Sequence, residues 1–196
     1  VEELANAMLQ LQKIGCHNIN FVSPTHFAAQ IIQGVEIAAE KGLNIPLVYN
    51  TGGFDTVETL RILEGVIDIF MPDIKFFTED AALKYLRVKG YPQAVKDAIK
   101  EMHRQVGDLK TDEQGLAYRG LLVRHLVMPG GLAGSGEIMR FLVEEVSPHT
   151  FVNIMRQYHP SHLADKYPEI NRRITRQEFA KAVDTAKEAG LYRIVS

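Results

Sequence analysis

The chain has 196 residues, of which 46% are hydrophobic and 23% charged, as in an ordinary globular protein. This length fills one hydrophobic core and is short for two, so we expect a single domain over residues 1–196. A formal net charge of -2 leaves no basic stripe, which argues against a nucleic-acid surface. No apolar run approaches the roughly 18 to 20 residues that span a bilayer.

The chain contains one cysteine, Cys16. A single cysteine excludes an internal disulfide framework and fits a reducing compartment, so we predict a cytoplasmic location. It also cannot hold an iron–sulfur cluster or a cysteine-rich zinc site by itself. Its position just before a predicted strand favours a small buried hydrophobic residue over a nucleophile.

The first predicted element is a helix over residues 1–14, with Leu4, Ala7, Met8 and Leu11 on one face. A fold that repeats strand and helix normally begins with a strand. The opening helix, together with the absence of an initiator methionine at Val1, therefore leads us to expect that a strand and its loop precede this chain and that the domain is N-terminally truncated.

A pattern then recurs along the chain: a helical segment ends at a glycine, and an apolar, β-branched run follows after at most three residues. The helix-ending glycines are Gly15, Gly42, Gly65 and Gly190. The predicted strands cover residues 18–22, 45–49, 66–71, 121–127, 151–155 and 191–195. Strands that alternate with helices predict an α/β fold, a partial, open barrel of about six mostly parallel strands covered by helices.

Helix starts agree with this pattern. Residues 55–58 and 175–178 have the spacing of capping boxes, with an oxygen-bearing side chain three residues before a glutamate. Pro92 is suited to open a helix that runs to Val106, with Gly107 closing it. The long crossover over residues 73–118 is expected to carry two helices and a turn at 110–115.

Polar residues follow the predicted strands, at the end where parallel α/β folds collect their chemistry. The polar loops are Ser-Pro-Thr-His at 23–26, Asn-Thr-Gly-Gly at 50–53, Pro-Asp-Ile-Lys at 72–75, Pro-Gly-Gly at 129–131 and Gln-Tyr-His-Pro-Ser-His at 157–162. Together they predict a small-molecule site lined by glycine backbone, one acid, one or two cations and several histidines.

Each of these motifs also has a structural interpretation. Residues 50–53 also fit a turn and helix cap, and Asp73 with Lys75 also fits an ordinary ion pair. The histidines lack the short helical spacing of a two-histidine metal site. These histidines are His17, His26, His125, His159 and His162. There is no Rossmann fingerprint and no phosphate-loop motif.

Taken together, five segments resemble the radical S-adenosylmethionine proteins related to pyruvate formate-lyase activating enzyme, and they look closest to an uncharacterised branch of that family. The segments run in order through nearly the whole chain, at residues 17–26, 46–53, 71–75, 123–130 and 155–160. The resemblance implies a partial barrel of about six strand–helix units, with S-adenosylmethionine lying across the strand ends.

The resemblance also implies roles for individual residues. Lys75 of the Asp-x-Lys pair corresponds to the lysine near the cofactor's carboxylate, Arg124 to the arginine before the family's Val-Pro-Gly turn, and His159 to a histidine near the ribose. The residues implied to bind the cofactor are Ser23, Thr25, His26, Asn50, Thr51, Asp73, Lys75, Arg124 and His159. The residues implied to surround a monovalent cation are Asn50, Thr51, Met71 and Asp73.

The implied reaction is the cleavage of S-adenosylmethionine by a reduced [4Fe–4S] cluster, which yields methionine and a 5′-deoxyadenosyl radical for hydrogen abstraction. A glycyl-radical-type enzyme and an electron donor are the implied partners. The cluster-binding Cys-x3-Cys-x2-Cys loop is absent from this chain, so we expect the fragment to contain no catalytic residue and to be inactive by itself. Two further departures concern binding: Ser23–His26 replaces the Gly-Gly-Glu that meets the cofactor's amine, and Asn50 replaces an aspartate of the cation loop.

Two alternatives of other classes remain open. One is a barrel aldolase or lyase that uses Lys75 as a Schiff-base amine. The other is a non-catalytic domain whose polar loops bind a peptide or a small molecule such as a nucleotide.

Overall fold

A computed structural model describes residues 1–196 and shows helices alternating with mostly parallel strands. The helices are α1 (Glu2–Lys13), α2 (Ala28–Glu40), α3 (Val57–Ile62), α4 (Glu79–Ala81), α5 (Tyr91–Val106), α6 (Ser135–Phe141) and α7 (Arg176–Glu188). The strands are β1 (Ile19–Val22), β2 (Leu47–Thr51), β3 (Ile69–Pro72), β4 (Lys110–Thr111), β5 (Ala117–Leu126), β6 (Phe151–Met155) and β7 (Ile194–Val195). α4 and α6 continue directly as π-helical turns, Ala82–Leu86 and Leu142–Val146. None of the helices has the length and apolarity needed to cross a lipid bilayer.

The sheet has the strand order β1-β2-β3-β5-β6-β7, and all of these neighbours are parallel. The short β4 pairs antiparallel with the start of β5. β2 and β3 are buried at nearly every residue, as expected for central parallel strands covered by helices, whereas burial alternates along β1 and β6. The predicted fold class, an open parallel α/β barrel of about six strands, is confirmed.

The chain forms two compact units. Unit 1 comprises Val1–Pro72 and Asp97–Leu121, and unit 2 comprises Asp73–Lys96 and Leu122–Ser196. The boundary between the units passes through α5 and through β5. The expectation of one domain over residues 1–196 stays a prediction.

Unit 1 is built on β1, β2, β3 and the first half of β5. Its core includes the fully buried rings of Tyr49 and Phe70, which meet edge to face with centroids 5.7 Å apart. The predicted opening helix is confirmed as α1, and it buries Ala5 and Met8. The prediction that Leu11 shares this buried face is wrong, since its side chain is 39% exposed.

Unit 2 is built on the second half of β5 with β6 and β7. The buried faces of α6 and α7 contribute Ile138, Met139, Ala182 and Ala186 to its core. At the start of α7 the predicted capping box is confirmed: the Thr175 hydroxyl accepts from the Glu178 N–H, and the Glu178 carboxylate accepts from the Thr175 N–H. The strand predicted at 191–195 is shorter than expected, because only Ile194–Val195 pairs with β6.

Residues 73–120 hold the largest departures from the predicted elements. Two helices and a turn are present as expected, and α5 runs to Val106 with Gly107 beyond it. However, the segment after the turn already forms strand from Ala117, because β4 and β5 make a small hairpin. Gly120 lies where this hairpin joins the main sheet. It has φ 122°, and a Cβ placed there would lie 2.4 Å from the Asp108 carbonyl oxygen, so this close approach of two backbones requires glycine.

Candidate cofactor site

The end of β3 carries a three-residue ion cluster in unit 2, which we call the Asp73 cluster: Asp73, Lys75 and Arg124. Asp73 forms a parallel bridge with Arg124 of β5, and the Ile74 N–H donates to the Arg124 carbonyl at 2.9 Å. The Arg124 Nε and Nη2 atoms lie 2.8 and 2.7 Å from Asp73 Oδ1, and Lys75 Nζ lies 2.6 Å from Asp73 Oδ2. One carboxylate thus binds two cations, one through each oxygen.

The charge of the Asp73 cluster determines what it can bind. Two cations and one carboxylate leave a formal charge of +1. The side chains are 35% exposed for Lys75, 24% for Arg124 and 20% for Asp73, so they are withdrawn from bulk water yet reachable by a ligand. Partial burial strengthens ion pairs and charge-assisted hydrogen bonds. The cluster is therefore suited to the carboxylate of a small ligand.

Buried residues hold the main chain of this segment in place. The Lys75 N–H donates to the Tyr91 hydroxyl at 3.0 Å, and burial raises the pKa of Tyr91, which keeps that hydroxyl protonated. His125, fully buried on β5, has Nδ1 3.0 Å from the Ile74 carbonyl and Nε2 2.8 Å from the Ser135 hydroxyl. A carbonyl only accepts, so Nδ1 carries the proton and Nε2 accepts from Ser135. Burial lowers the pKa of His125, so this histidine is a neutral structural residue.

A second polar group, which we call the Asp55 cluster, lies inside unit 1. The Asp55 carboxylate is 3% exposed and accepts from three hydroxyl groups: Thr25 at 2.7 Å, Tyr49 at 3.1 Å and Thr51 at 2.5 Å. A buried carboxylate requires such donors, because desolvation without them is costly. Burial and the neighbouring Asp55 raise the pKa of Tyr49, so its hydroxyl stays protonated and keeps donating.

The Asp55 cluster corrects one sequence prediction. The capping box at 55–58 is wrong, because Thr56 is the N-cap of α3 and its hydroxyl accepts from the Thr59 N–H. Asp55 instead turns inward. Sequence analysis missed it as a buried acceptor, although alternation along β2 places Tyr49 and Thr51 on the same face of the strand, as a shared partner requires.

The other predicted site residues of unit 1 lie around the ends of β1 and β2. Ser23 has φ 53°, and its N–H donates to the Asn50 carbonyl at 2.8 Å. Asn50 and Met71 are register partners on β2 and β3, and both are half-buried. His26 is exposed in a single 3-10 turn, Thr25–Phe27.

The roles given to these residues as cofactor or cation ligands stay predictions. The side chains of Thr25 and Thr51, two of the predicted cofactor-binding residues, are hydrogen-bonded to Asp55. Of the predicted cation set, Asn50, Thr51 and Met71 belong to unit 1 and Asp73 to unit 2.

His159 lies on the loop after β6 in unit 2 and is exposed. Together with Arg156, Arg173 and Arg176 it lines a cavity of about 410 Å³ at the start of α7. Its role near a ribose stays a prediction.

The chain's residues differ in how well they fit the two implied cofactors. The Asp73 cluster supplies cations for the carboxylate of S-adenosylmethionine, so it fits the amino-acid end of that cofactor. A [4Fe–4S] cluster does not fit, because the chain has one cysteine and no group of three His, Cys, Asp or Glu side chains that could hold a metal.

The sequence is similar to a curated protein. No protein-family model matches the chain. The uncharacterized protein MJ0674 of Methanocaldococcus jannaschii is 32% identical over 176 residues, which cover 89% of this chain and 47% of that protein. The chain therefore spans about half the length of the curated relative it matches.

Two solved structures share the fold. One is a domain of pyruvate-formate lyase-activating enzyme from Bacteroides vulgatus, with a TM-score of 0.60 and 12% identity over 91% of this chain and 98% of that one. The other is HydG, a maturase of the [FeFe]-hydrogenase, with a TM-score of 0.60 and 16% identity over 100% of this chain and 44% of that one. At these identities the likeness establishes a common fold.

Proposed function

We propose that this chain forms most of the barrel of a radical S-adenosylmethionine enzyme that resembles pyruvate formate-lyase activating enzyme. The observation that carries the proposal is the Asp73 cluster, which supplies two cations at the end of a central strand. Its supporting context is a fold shared with an activating-enzyme domain and with HydG. Ligands of parallel α/β folds bind beyond the carboxyl ends of the strands, where this cluster lies.

In this proposal the Asp73 cluster binds the amino-acid end of the cofactor. Lys75 and Arg124 donate to its carboxylate, and Asp73 holds both cations in fixed positions through its two oxygens. Arginine offers a planar fork of donors and lysine a point charge, so the pair both orients and neutralises a carboxylate. Binding, orientation and the exclusion of water are the contributions expected of a protein around a reactive cofactor.

The chemistry that the cofactors supply is the one-electron reductive cleavage of S-adenosylmethionine to methionine and a 5′-deoxyadenosyl radical. No ligand set for the iron–sulfur cluster lies within these 196 residues. The activity of the whole protein, a glycyl-radical-type partner, an electron donor and a cytoplasmic location all remain proposals.

A Schiff-base mechanism through Lys75 receives no support from the geometry. Lys75 Nζ lies 2.6 Å from a carboxylate, and an ion-paired ammonium is a poor nucleophile. The alternative of a non-catalytic binding domain predicts the same ligand affinity without turnover, so it has to be distinguished by experiment.

The first test is calorimetric titration of the chain with S-adenosylmethionine, for which we expect saturable binding. The absence of binding would contradict the proposal. The second test is 5′-deoxyadenosine formation by the intact protein, reconstituted anaerobically with iron and sulfide and reduced with dithionite. Binding without product, from a protein that carries a cluster, would favour the binding domain.

A further inference from the structure

Unit 2 contains a cavity of about 430 Å³ that adjoins the Asp73 cluster through Lys75. We call it the tyrosine pocket, because the rings of Tyr85, Tyr158 and Tyr167 line it. Most of its other walls are aliphatic, with Leu126 and Met128 among them. Its volume lies in the range of sites for small organic ligands.

The tyrosines present rings to the cavity, while two of their hydroxyl groups are bonded to neighbouring residues. The Tyr85 hydroxyl donates to Glu169 Oε1 and the Tyr158 hydroxyl to the Ile170 carbonyl, each at 2.8 Å. Burial raises the pKa of both tyrosines, as expected in apolar surroundings.

Ring packing fixes the position of Tyr85. It stacks on Phe76, with centroids 5.5 Å apart and planes at 24°, and it meets Tyr167 edge to face at 5.6 Å. Offset stacking and edge contacts of this kind stabilise one arrangement of rings, so the aromatic wall is preformed. A preformed aromatic wall suits a flat, apolar ligand body.

Two basic residues at the pocket have unusual backbone conformations. Only three non-glycine residues of the chain have positive φ, and two of them line this cavity: Arg87 at 58° and His162 at 53°. Arg87 is the left-handed residue that ends the helical turn Ala82–Leu86, so its position at the pocket is determined by that turn.

Positively charged side chains line the pocket, and Asp73, which pairs with Lys75, lies outside its lining. The basic residues of the pocket are Lys75, Arg87 and His162, and no aspartate or glutamate is among the lining residues. A ligand that combines an apolar body with a negative group would satisfy both the rings and the basic residues.

We propose that the tyrosine pocket binds a small aromatic carboxylic acid, with its ring against the tyrosines and its carboxylate at Arg87 and His162, and that such acids are the substrate class of this protein. The assignment as substrate rests on the proposed function. Lys75 belongs to both the pocket and the Asp73 cluster, so an acid in the pocket lies beside the site proposed for the cofactor.

The test compares 3-phenylpropanoate with its uncharged isostere 3-phenylpropanamide, titrated calorimetrically into the chain without S-adenosylmethionine. We expect the acid to bind about tenfold or more tightly than the amide, because a charge-assisted contact is lost in the amide. Equal affinities, or no binding of the acid at millimolar concentration, would overturn the proposal. Equal affinities would point instead to a neutral ligand such as a polypeptide side chain.

Variants locate the site. Arg87→Gly removes the guanidinium and keeps a residue that tolerates φ 58°, so folding should be retained. We expect it to weaken acid binding about tenfold and amide binding less than twofold. His162→Gly repeats the test at the second position, and Lys166→Ala, an exposed change outside the lining, should leave both affinities unchanged. Unaltered acid affinity in both glycine variants would contradict the proposed orientation.

Failure of this inference differs from failure of the proposed function. Binding of S-adenosylmethionine without preference for the acid would overturn only the substrate class. Acid binding without cofactor binding would overturn the radical S-adenosylmethionine function and keep the pocket assignment.

Discussion

Arg124 and Asp73 are 51 residues apart in the chain, and their side chains meet at 2.7 Å just beyond the end of β3, where Asp73 forms a parallel bridge with Arg124 of β5. The main chains meet as well, since the Ile74 N–H donates to the Arg124 carbonyl. Arg124 binds Oδ1 of Asp73 and leaves Oδ2 to Lys75. With Arg124 added, the Asp-x-Lys pair becomes a cluster with a formal charge of +1.

The first prediction concerns ligand affinity at this cluster. Lys75→Gln and Arg124→Gln each remove one cation, and we expect each to weaken S-adenosylmethionine binding about tenfold or more, through loss of a charge-assisted hydrogen bond. Calorimetric titration measures the affinity, and circular dichroism checks the fold. Lys166→Gln is the matched control. If both cluster variants bind as wild type does, the cofactor is held elsewhere.

The second prediction concerns the stability of unit 1. Asp55→Ala leaves three hydroxyl groups without their shared acceptor, so we expect a loss of about 3 kcal/mol in the free energy of unfolding. Asp55→Asn, which keeps one acceptor oxygen, should cost less. Thr56→Ala removes only the cap of α3 and should cost about 1 kcal/mol. Urea unfolding measures all three, and a cost at Asp55 no larger than the cost at Thr56 would contradict the role of Asp55 as a shared buried acceptor.

The third prediction concerns backbone approach at the hairpin. Gly120→Ala places a Cβ within 2.4 Å of the Asp108 carbonyl oxygen, so the paired strands have to separate. We expect a loss of at least about 2 kcal/mol. Gly115→Ala is the control. Gly115 also has a left-handed backbone, with φ 82°, but a Cβ placed there would meet no atom within 4 Å. We therefore expect this variant to lose only about 1 kcal/mol of unfolding free energy, the cost of a left-handed backbone at alanine. Equal thermal shifts for the two variants would contradict the close approach.

The fourth prediction concerns acid stability. Hydrogen bonds from Arg104, and then from Gln105, lower the pKa of Glu101 to about 2, against an ordinary value of 4.5. A carboxyl group whose pKa falls on folding stabilises the native state fully above pH 4.5 and loses this contribution as pH falls towards 2. In Glu101→Gln, the unfolding free energy should therefore fall less steeply than in the wild type as the pH is lowered from 4.5 towards 2. Glu113→Gln, the same exchange in the exposed turn, is the matched control, and a Glu101→Gln curve as steep as that of this control would contradict the prediction.

Local sequence patterns predicted most of the helices and strands, because helix ends and caps depend on residues only a few positions apart. Helix-ending glycines have the expected left-handed backbone at Gly15, Gly42, Gly65 and Gly190. The Thr175–Glu178 capping box spans three residues, and its geometry follows from that spacing. Where β4 pairs with β5, the prediction placed the strand start four residues too late, because pairing rather than propensity extends that strand.

In the candidate site, too, local relations were predictable from the sequence and long-range contacts were not. The sequence by itself determined that Asp73 and Lys75 lie on one side of a strand end, because a residue spacing of two fixes that relation. It could not determine that Asp55 turns inward to Thr25, 30 residues away, or that Arg124 completes the Asp73 cluster. Those contacts depend on which strands become neighbours and in what register. Only the tertiary structure decides that, since long-range pairing is set by packing of the whole sheet rather than by any local pattern.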